Sequence, residues 1–524
     1  MKINLLFFFL AFNVIVAQET IGLVYNDVNK MNSEGYTLFK PTTDNRVFLI
    51  NNCGEVVNQW DSTDQSTSNI YFLENGTLLL SSGTYAEIRD WNNNILWSLS
   101  YVELGFATHH DIAPLPNGNF LVTVRDVYSK NEMLAEGLDI SFPDDNLELE
   151  RIVEIEPVGV DSANVVWEWK IFDHLVQDFD NSKPNYGVVA NNPQLLDFNY
   201  GTSSNLIHAN AINYNEDLDQ IVFSARNLNE IYIIDHSTTT LEASTHVGGI
   251  YGKGGDILWR WGNPEVYDKG TALDRKLRGQ HDVKWISEGP YQGKISVFNN
   301  VGYGNDLMAS SVHVIDQNDT DGFYNLNSGR FLPNNYFWSW DGSINNTVMH
   351  GGKKCGLQMM SKGNALINES AKGRITEVDN MGNVIWVYII PVANNSDFSQ
   401  FSQPVTNEAF RATRYSVDFS GFDGVTFNNT GIIEDVNSIS TDCINRLSVD
   451  DSYIVNLNVY PNPTKDILNF TQRIDEIKVY DISGKIVLNK SNSEFINLEK
   501  LSNGLYLVRV SEEEKSKTFR ISKK

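Results

Sequence analysis

The sequence predicts an all-β protein, a six-bladed β-propeller followed by a small C-terminal β-sandwich. Three observations predict it. Charged residues make up only 20% of the 524 residues, while aromatic residues reach 11% and glycines number 37, which is typical of strands and turns. A short strand that ends in tryptophan recurs six times. A hairpin with a glycine turn precedes several of these copies. Five or seven blades remain alternatives to six.

The chain opens with the features of a secretion signal. Lys2 supplies a positive charge, Leu5–Val16 is an apolar run, and Ala17 precedes a plausible cleavage point, so we predict a signal peptide over residues 1–17. The run is short for a membrane span, and no later stretch reaches the ~18 apolar residues that one needs. The sequence therefore predicts an exported protein without a transmembrane segment.

The repeated strand begins at a Gly or Asn turn and ends at tryptophan. Its copies end at Trp60, Trp97, Trp167, Trp259, Trp338 and Trp386. Hairpins with turns at Gly76, Gly118 and Gly363 lie ahead of some copies, which makes about four strands per unit, the content of a propeller blade. The first copy lacks its own hairpin, so we expect one blade to be closed by strands from both chain ends.

Three further tryptophans, Trp169, Trp261 and Trp340, each follow a copy by two residues. We interpret Trp259, Trp261, Trp338 and Trp340, which alternate along their strands, as packing between blades rather than as ligand-stacking residues. The long segments 130–163 and 173–205 are expected to be loops between strands.

The repeat stops near residue 435. We assign residues 18–434 to the propeller, 435–452 to a linker and 453–524 to a separate domain of seven short strands. Its segments Val459–Thr464, Val479–Gly484 and Gly504–Val510 closely resemble the type IX secretion C-terminal sorting domain. That resemblance implies handling by the type IX secretion machinery and a location outside the cell or on its surface.

The net charge limits the possible partners of the protein, and the number of cysteines limits its disulfides. A net charge of −26 repels nucleic acid and anionic membranes, so neither is expected as a partner. Three cysteines are too few for a disulfide framework and allow at most one bridge.

Aligning the hairpins on their turn glycines produces two columns of residues. Eight residues before the turn glycine, as with Gly118 and Gly363, the column holds Ser68, His110 and Cys355, and His208 and His281 join it by the strand that follows, because the third and fourth units have longer turns. Seven residues after the turn glycine the second column holds Gly83, Arg125, Arg226, Asn300 and Ser370. Because hairpin strands are antiparallel, His110 should neighbour Arg125, His208 should neighbour Arg226, and His281 should neighbour Asn300. The innermost strands line the channel of a propeller, so these pairs should surround one mouth.

A ring of histidine and arginine suits a small anion. Arginine forks around oxyanions, and histidine donates a hydrogen bond, exchanges a proton or acts as a nucleophile. Two other interpretations stay open: histidines that cap strand ends, and a histidine–metal site assisted by Asp111 and Asp282. Neither a metal nor another cofactor is expected. His236, on the outer part of its blade, is expected to face solvent.

The segments Leu206–Arg226, Glu230–His236, Leu258–Pro264 and Gly279–Asp282 resemble the PAPS-independent arylsulfotransferases. The resemblance extends over about residues 35–420. It implies a six-bladed propeller that moves a sulfuryl group from a phenolic sulfate ester to a phenol through a sulfated histidine.

The resemblance also implies residue roles. His208 and His281 match the family's two channel histidines, which bind and polarise the sulfuryl group. The family has an arginine where this chain has Asn300, and its nucleophilic histidine falls where this chain has Cys355. His350 is the nearest substitute, and His110 is the next.

These observations predict a secreted aryl-sulfate sulfotransferase-like enzyme that acts on a small aromatic sulfate donor and a phenol acceptor. Its predicted catalytic residues are His208, His281, Arg226 and His350, and its predicted substrate-binding residues are His110, Arg125, Asn300 and Cys355. The alternative is a secreted propeller that binds anionic, sulfated ligands without turning them over.

Overall fold

The computed structural model describes most of the propeller and most of the C-terminal domain. The described ranges are 21–27, 35–301, 309–344, 347–400, 402–428, 430–434, 459–481, 485–512 and 515–524. The predicted signal peptide and the predicted linker lie outside these ranges. The chain divides into two compact units, residues 1–438 and 439–524, and each is described by itself.

Six antiparallel sheets make up the described part of the first unit, and the count of six blades is confirmed. We number the blades in chain order and give their strands from the innermost to the outermost. Blade 1 is Ala409–Ser416, Gly35–Pro41, Arg46–Ile50 and Val56–Asp61. Blade 2 is Asn69–Phe72, Leu78–Ser81, Tyr85–Arg89 and Ile95–Ser100. Blade 3 is Thr108–Pro114, Phe120–Ser129, Asn146–Val158 and Ser162–Lys170.

The other three blades follow the same order. Blade 4 is Ala209–Asn215, Gln220–Ala225, Glu230–Asp235 and Trp259–Trp261. Blade 5 is His281–Trp285, Ile295–Asn299, Ser311–Ile315 and Trp338–Trp340. Blade 6 is Gly356–Met359, Ala365–Glu369, Arg374–Val378 and Val384–Ile389, with Gly22–Asn26 as a fifth, outermost strand. Apolar clusters fill the spaces between neighbouring blades.

Strands from both chain ends close the ring, as the sequence predicts. In blade 1 the late strand Ala409–Ser416 pairs with the early strand Gly35–Pro41, with Leu38 opposite Thr413. The first described strand, Gly22–Asn26, adds a second closure by pairing with Val384–Ile389 in blade 6. Opening the ring therefore breaks two strand ladders that join residues far apart in the sequence.

The tryptophans of the outermost strands join each blade to the next. In every blade one indole N–H donates to a backbone carbonyl near the last turn of the following blade. The six bonds are Trp60 to Asp90 (2.9 Å), Trp97 to Ser162 (2.8 Å), Trp169 to Gly255 (2.7 Å), Trp259 to Leu332 (2.7 Å), Trp340 to Gly382 (3.1 Å) and Trp386 to Asn52 (2.9 Å). The interpretation of the tryptophans as inter-blade packing is confirmed, and the repeat exists because every blade boundary needs one buried, satisfied indole.

The expectation that residues 130–163 form a loop is wrong. Lys130–Glu136 is an α-helix whose N-cap Ser129 forms a capping box with Glu132, and Asn146–Val158 is the longest strand of blade 3. The second expected loop, residues 173–205, holds a short parallel pair, Leu175–Val176 with Leu196–Asp197, and the 3-10 turn Val189–Asn191.

The remaining elements are short. A second helix is Thr240–Ala243. The 3-10 turns are Tyr101–Leu104, Ile171–His174, Val189–Asn191, Arg226–Leu228, Pro264–Tyr267, Gly289–Tyr291, Ser370–Lys372 and Ser420–Phe422. The small hairpins are Leu326–Asn327 with Arg330–Phe331, Ser343–Ile344 with Thr347–Val348, and Val392–Ala393 with Ser396–Asp397. Neither helix of the described residues is long and apolar enough to cross a membrane.

The C-terminal unit is a curled sheet with its own core. Its described strands are Val459–Tyr460, Ile467–Tyr480, Ile486–Asn497, Gly504–Glu512 and Lys515–Lys523. They are fewer and longer than the seven short strands expected, because the polar stretch inside Ile467–Tyr480 produces a register shift instead of a turn. Leu468, Ile477, Val508 and Ile521 are among its fully buried residues.

Two cysteines differ in their chemical state. Cys53 is disulfide-bonded, whereas Cys355 is a free thiol buried between blades 5 and 6.

The expectation that His236 faces solvent is wrong, because its ring joins blades 3 and 4. Its side chain is 13% exposed, and its two nitrogens lie 2.7 Å from Asp219 Oδ1 and 3.1 Å from Glu154 Oε2. Burial opposes the charged ring, but the hydrogen bonds to the two carboxylates outweigh burial and raise the pKa of His236 to about 9. The pair of acceptors therefore favours an imidazolium.

This bridge predicts a pH-dependent stability. The pKa of an unfolded histidine is about 6.5, so the contribution is complete below that pH and is lost as the pH rises through about 9. The shift corresponds to at most about 3 kcal/mol. We expect the urea midpoint of the protein to fall over this window, and the fall to be smaller in His236→Gln. The variant His246→Gln, which changes a 60% exposed ring, should keep the wild-type profile. Identical profiles for all three proteins would contradict the assignment.

Candidate functional site

The histidines of the predicted column lie where the innermost strands of blades 3, 4 and 5 begin. His110 is in the strand Thr108–Pro114, His208 directly precedes Ala209–Asn215, and His281 opens His281–Trp285. His110 and His208 have positive φ angles, 66° and 56°. These angles break the strand alternation, so a side chain at this position can turn away from the direction that the pleat would give it.

His110 and His208 meet, and His109 joins them. The ring centroids are 4.5 Å apart for His109 and His110, 4.7 Å for His109 and His208, and 4.6 Å for His110 and His208. We call these three residues the histidine cluster. His109 was not predicted, because alternation along a strand sends neighbours to opposite faces, and the positive φ of His110 removes that alternation here. The His-His pair itself was the signal available in the sequence.

Hydrogen bonds fix two rings of the cluster. His109 Nδ1 lies 2.7 Å from Oε1 of Glu150, a buried residue of blade 3, and the same oxygen accepts the N–H of Ala209 at 2.9 Å. His208 Nδ1 lies 2.9 Å from the side-chain amide of Asn205. The ring of His110 is exposed and makes no hydrogen bond to the described residues. The cluster therefore contains two oriented rings and one that is free to react.

The rings of His110 and His208 are held in the neutral form. Burial, together with the neighbouring histidines and Arg226, lowers the pKa of His208 to about 2. His110 is open to solvent on one side, but the surrounding protein removes part of the water around its ring. This desolvation, followed by the effects of His109, His281, Arg125 and Arg226, lowers the pKa of His110 to about 3. At neutral pH both imidazoles carry a lone pair, and the positive charge of the site resides on the arginines.

Arg226 and Arg125 supply that charge. Arg226 is half-buried, and its guanidinium donates to Asn227 Oδ1 at 2.9 Å. Arg226 also lies beside Gly279, where an added Cβ would be 3.9 Å from its Nη2. Arg125 is 35% exposed and forms an ion pair with Glu148 at 3.0 Å. Arg226 is therefore the less neutralised of the two guanidiniums.

His281 and Asn300 form the pair that the hairpin geometry predicts. His281 Nδ1 lies 2.7 Å from Asn300 Oδ1 and 3.0 Å from the carbonyl of Gly279, so Nδ1 carries the proton and Nε2 the lone pair. Burial lowers the pKa of His281 to about 4, although the bond to Asn300 acts in the opposite direction. Asn300 also donates to the carbonyls of Gly351 (2.7 Å) and Lys354 (2.9 Å). It thereby connects His281 to blade 6.

The two remaining predicted residues lie in or next to that connected segment. His350 is half-buried and its backbone N–H donates to Glu369 Oε1 at 3.0 Å. Cys355 is 1% exposed, and its sulfur accepts the N–H of Ser370 at 3.3 Å. Burial raises the pKa of the Cys355 thiol to about 12, so it stays protonated at neutral pH. A protonated, buried thiol is a poor nucleophile.

A network of charges and hydrogen bonds around Arg411 lies behind the histidines. Arg411, on the innermost strand of blade 1, contacts Asp111 (2.6 Å), Asp282 (2.8 Å) and the hydroxyl of Tyr71 (3.1 Å). Asp111 also accepts the N–H of Ile212, and Asp282 that of Leu357. These partners come from all six blades. We call Arg411, Asp111 and Asp282 the axial network.

The axial network has two consequences for the site. Asp111 directly follows His110, and Asp282 directly follows His281, so the network anchors the backbone of both histidines. Both carboxylates are bound to Arg411, which argues against the interpretation that they assist a histidine–metal site. Arg411 was not among the predicted residues.

Comparisons with known proteins identify two families whose models match parts of the chain. The arylsulfotransferase (ASST) family model matches residues 16–319, and the secretion system C-terminal sorting domain matches residues 458–524. Among curated proteins no match was found. The sorting domain marks the chain for the type IX secretion machinery and for a location outside the cell or on its surface.

Several solved structures are also similar. A protein of unknown function from Bacteroides caccae is 12% identical, with 73% of this chain and 99% of that chain covered and a TM-score of 0.39. A streptogramin B lyase is 10% identical, with 72% and 85% covered and a TM-score of 0.35. A virginiamycin B lyase from Staphylococcus aureus is 10% identical, with 72% and 90% covered and a TM-score of 0.33.

The family match, residues 16–319, takes in four of the six blade signatures, the histidine cluster, Arg226, His281 and Asn300. It extends over more than half of the 524 residues. The chain therefore belongs to the arylsulfotransferase family.

Proposed function

We propose that the protein is a secreted sulfotransferase that moves a sulfuryl group from a phenolic sulfate ester to a phenol. The observation that carries the proposal is the histidine cluster, in which neutral imidazoles lie beside the guanidinium of Arg226. A sulfate ester is an anion with an electrophilic sulfur, so it requires cationic donors for its oxygens and a neutral nucleophile for its sulfur. The site offers both, since the backbone N–H of Arg226 donates to the carbonyl of His208 at 3.4 Å and the charge of Arg226 helps to lower the pKa of His110 and His208.

His110 is the nucleophile in this proposal. The ring of His110 is exposed, neutral and free of hydrogen bonds to the described residues. For His350, by contrast, the hydrogen bond to Glu369 is made by the backbone N–H and does not position the ring. A lone pair of His110 attacks sulfur, the S–O bond to the phenol breaks, and the phenolate leaves with the bonding electrons. A phenol acceptor then attacks the sulfur of the sulfated histidine, its proton passes to the Nε2 lone pair of His281, and the N–S bond breaks to restore the free imidazole of His110. This order of preference reverses the sequence-based choice of His350.

Arg226 and His208 hold the sulfuryl oxygens in this proposal, whereas His281, whose Nε2 carries a lone pair, accepts the proton of the phenol acceptor. Charge builds on these oxygens and on the departing phenolate during transfer, so donors placed beforehand are most effective in the transition state. Asn300 Oδ1 accepts a hydrogen bond from Nδ1 of His281 at 2.7 Å, so Nε2 is the nitrogen of that ring that remains available. Arg125, which Glu148 neutralises in part, acts as a weaker long-range cation.

The direct test is a transfer assay with a chromogenic aryl sulfate as donor and a phenol as acceptor. Release of the coloured phenol that depends on the acceptor, together with formation of the new sulfate ester, would support the proposal. If a panel of aryl sulfates binds without turnover, the protein is the alternative, an anion-binding propeller.

Replacing Arg226 by alanine should lower kcat and kcat/KM together. The loss of one charged donor at a developing negative charge costs about 3 kcal/mol, roughly 10²-fold in rate. Steady-state kinetics of Arg226→Ala and Arg226→Lys measure it, and the lysine variant should recover only a part because it lacks the planar fork. Arg330→Ala, at an exposed pair with Asp274, is the matched control and should behave as the wild type. A change in KM alone would contradict the role.

Deleting residues 453–524 should stop export and leave the propeller folded. The C-terminal unit buries its own core, and the sorting domain matches within it. Fractionation of cells that express the full chain or the truncated chain measures export, and thermal melting of the purified truncated protein measures folding. Secretion of the truncated chain at the wild-type level would contradict the prediction.

A further inference from the structure

We propose that His109, His110 and His208 form a site for a divalent transition-metal ion of the Zn²⁺, Co²⁺ or Ni²⁺ class. One ring nitrogen from each of the three residues lies within 4.8 Å of those of the other two. Three imidazoles with an open fourth position are a common ligand set for these ions. The site differs from the metal site considered from the sequence, since it uses no carboxylate of the axial network.

The environment of His109 is that of a metal ligand. Its Nδ1 faces the buried carboxylate of Glu150 at 2.7 Å, so Nδ1 carries the proton and Nε2 keeps the lone pair. Glu150 is itself held by the N–H of Ala209 at 2.9 Å. A carboxylate that orients a histidine in this way is the usual outer partner of a metal-bound imidazole.

The other two rings can also offer lone pairs. Asn205 faces His208 Nδ1 with its amide nitrogen at 2.9 Å, and its Oδ1 is buried without a hydrogen bond to the described residues. Exchanging the amide oxygen and nitrogen gives that oxygen a partner, His208 Nδ1–H, and leaves the lone pair on Nε2. The ring of His110 is not committed to any hydrogen bond with the described residues.

A second histidine group provides a contrast. His174, His246 and Asp256 also lie within ligand distance of one another. However, His174 Nδ1 faces Asp256 at 2.9 Å and its Nε2 faces the carbonyl of Ala243 at 2.8 Å. Both nitrogens of His174 are therefore engaged with acceptors, and that group holds no complete ligand set.

The arginines near the histidine cluster determine what completes the coordination. Arg125 and Arg226 disfavour a bare dication, so the ion should bind together with an anionic fourth ligand such as hydroxide, chloride or sulfate. Glu148 and Glu150 offset a part of the positive charge. The affinity for the metal should therefore rise when a small anion is present.

Metal binding has a consequence that depends on the proposed function. The ion takes the lone pair of His110, which attacks sulfur in the proposed function, and occupies the ring of His208, which holds a sulfuryl oxygen there, so it should inhibit transfer competitively with the aryl sulfate. An inhibitory site of this kind would make transfer sensitive to free metal outside the cell.

Titration of the purified, metal-free protein with CoCl₂ or ZnCl₂ alone tests the site. We expect one high-affinity ion per chain by calorimetry, and the strong visible absorption of low-coordinate Co²⁺. His109→Gln keeps a donor to Glu150 but removes the ligand, and should abolish this absorption. Glu150→Gln should weaken binding by about 10–100-fold. His246→Gln is the control and should bind as the wild type does.

The outcomes separate the site from the proposed function. Absence of binding by the wild-type protein, or binding that His246→Gln removes and His109→Gln does not, overturns the metal site. Thermal melting of each variant shows whether it is folded, and His208→Gln provides a second ligand variant if His109→Gln is not. If the wild-type protein binds the ion but turns over no aryl sulfate, the metal site stands and the proposed function fails.

Discussion

Replacing His110 by alanine should reduce sulfuryl transfer by roughly 10³-fold or more, the scale expected for loss of a nucleophile. The reason is that no other ring of the cluster is equally free. His109 is oriented by Glu150, and His208 is bound to Asn205 and placed to hold oxygens. The variant should also fail to form a covalent adduct, because the other two rings of the cluster are engaged with Glu150 and Asn205 and do not replace His110.

Mass spectrometry of protein mixed with donor alone measures the adduct, and peptide mapping locates it. The wild-type protein should gain one sulfuryl group on the peptide that contains His110. His350→Ala is the matched control and should retain the adduct and most of the rate. An adduct on His350, or a normal rate in His110→Ala, would contradict the assignment and restore the sequence-based choice.

Replacing Arg411 by methionine should destabilise the propeller by about 3–5 kcal/mol, the cost of leaving a buried charge without an ionic partner. Asp111 and Asp282 are 2% and 3% exposed, and both pair with Arg411, but Asp282 keeps a second ion pair with Lys284 at 2.9 Å. The loss should extend across the molecule because the partners of the network come from every blade. Activity should fall as well, since His110 and His281 are adjacent to the two carboxylates.

Urea denaturation of Arg411→Met measures this effect. A triple variant that also carries Asp111→Asn and Asp282→Asn should regain a part of the lost stability, because it removes the buried charges that pair with Arg411. Arg330→Met, at an exposed ion pair, is the matched control and should change the free energy of unfolding by less than about 1 kcal/mol. Equal midpoints for Arg411→Met and the control would show that the network does not stabilise the fold.

Much of the architecture follows from local patterns in the sequence. Each blade is built from consecutive residues, and its boundary requires one tryptophan and one tight turn, so the repeat through Trp60, Trp97 and Trp386 is visible without a structure. The same locality explains the pairing of His281 with Asn300, because a hairpin places residues at equal offsets side by side. Composition contributed as well, since a chain rich in aromatic residues and glycine favours strands and turns.

The alternation of residues along a strand is a poor guide to the structure at two places in this chain. Asn146–Val158 was assigned to a loop because its charged residues, among them Glu148, Glu150 and Arg151, hide the strand pattern. Their charges are satisfied by partners across the sheet or at the site, as in the ion pairs of Glu148 with Arg125 and of Arg151 with Glu168. At His109 the sequence suggests alternation that the backbone does not follow. The positive φ of His110 places His109 and His110 on the same side, so His109 is not predicted as a site residue.

By itself the sequence determined the blades, the C-terminal sorting domain, the family and most of the histidines that meet at the site, because these depend on neighbours in the chain. Only the tertiary structure decided which residues meet. Arg411 lies 300 residues from Asp111, and His109 lies 99 residues from His208, yet both pairs are in contact. Such contacts arise from closing the ring and from departures in backbone φ, and neither leaves a periodic trace in the sequence.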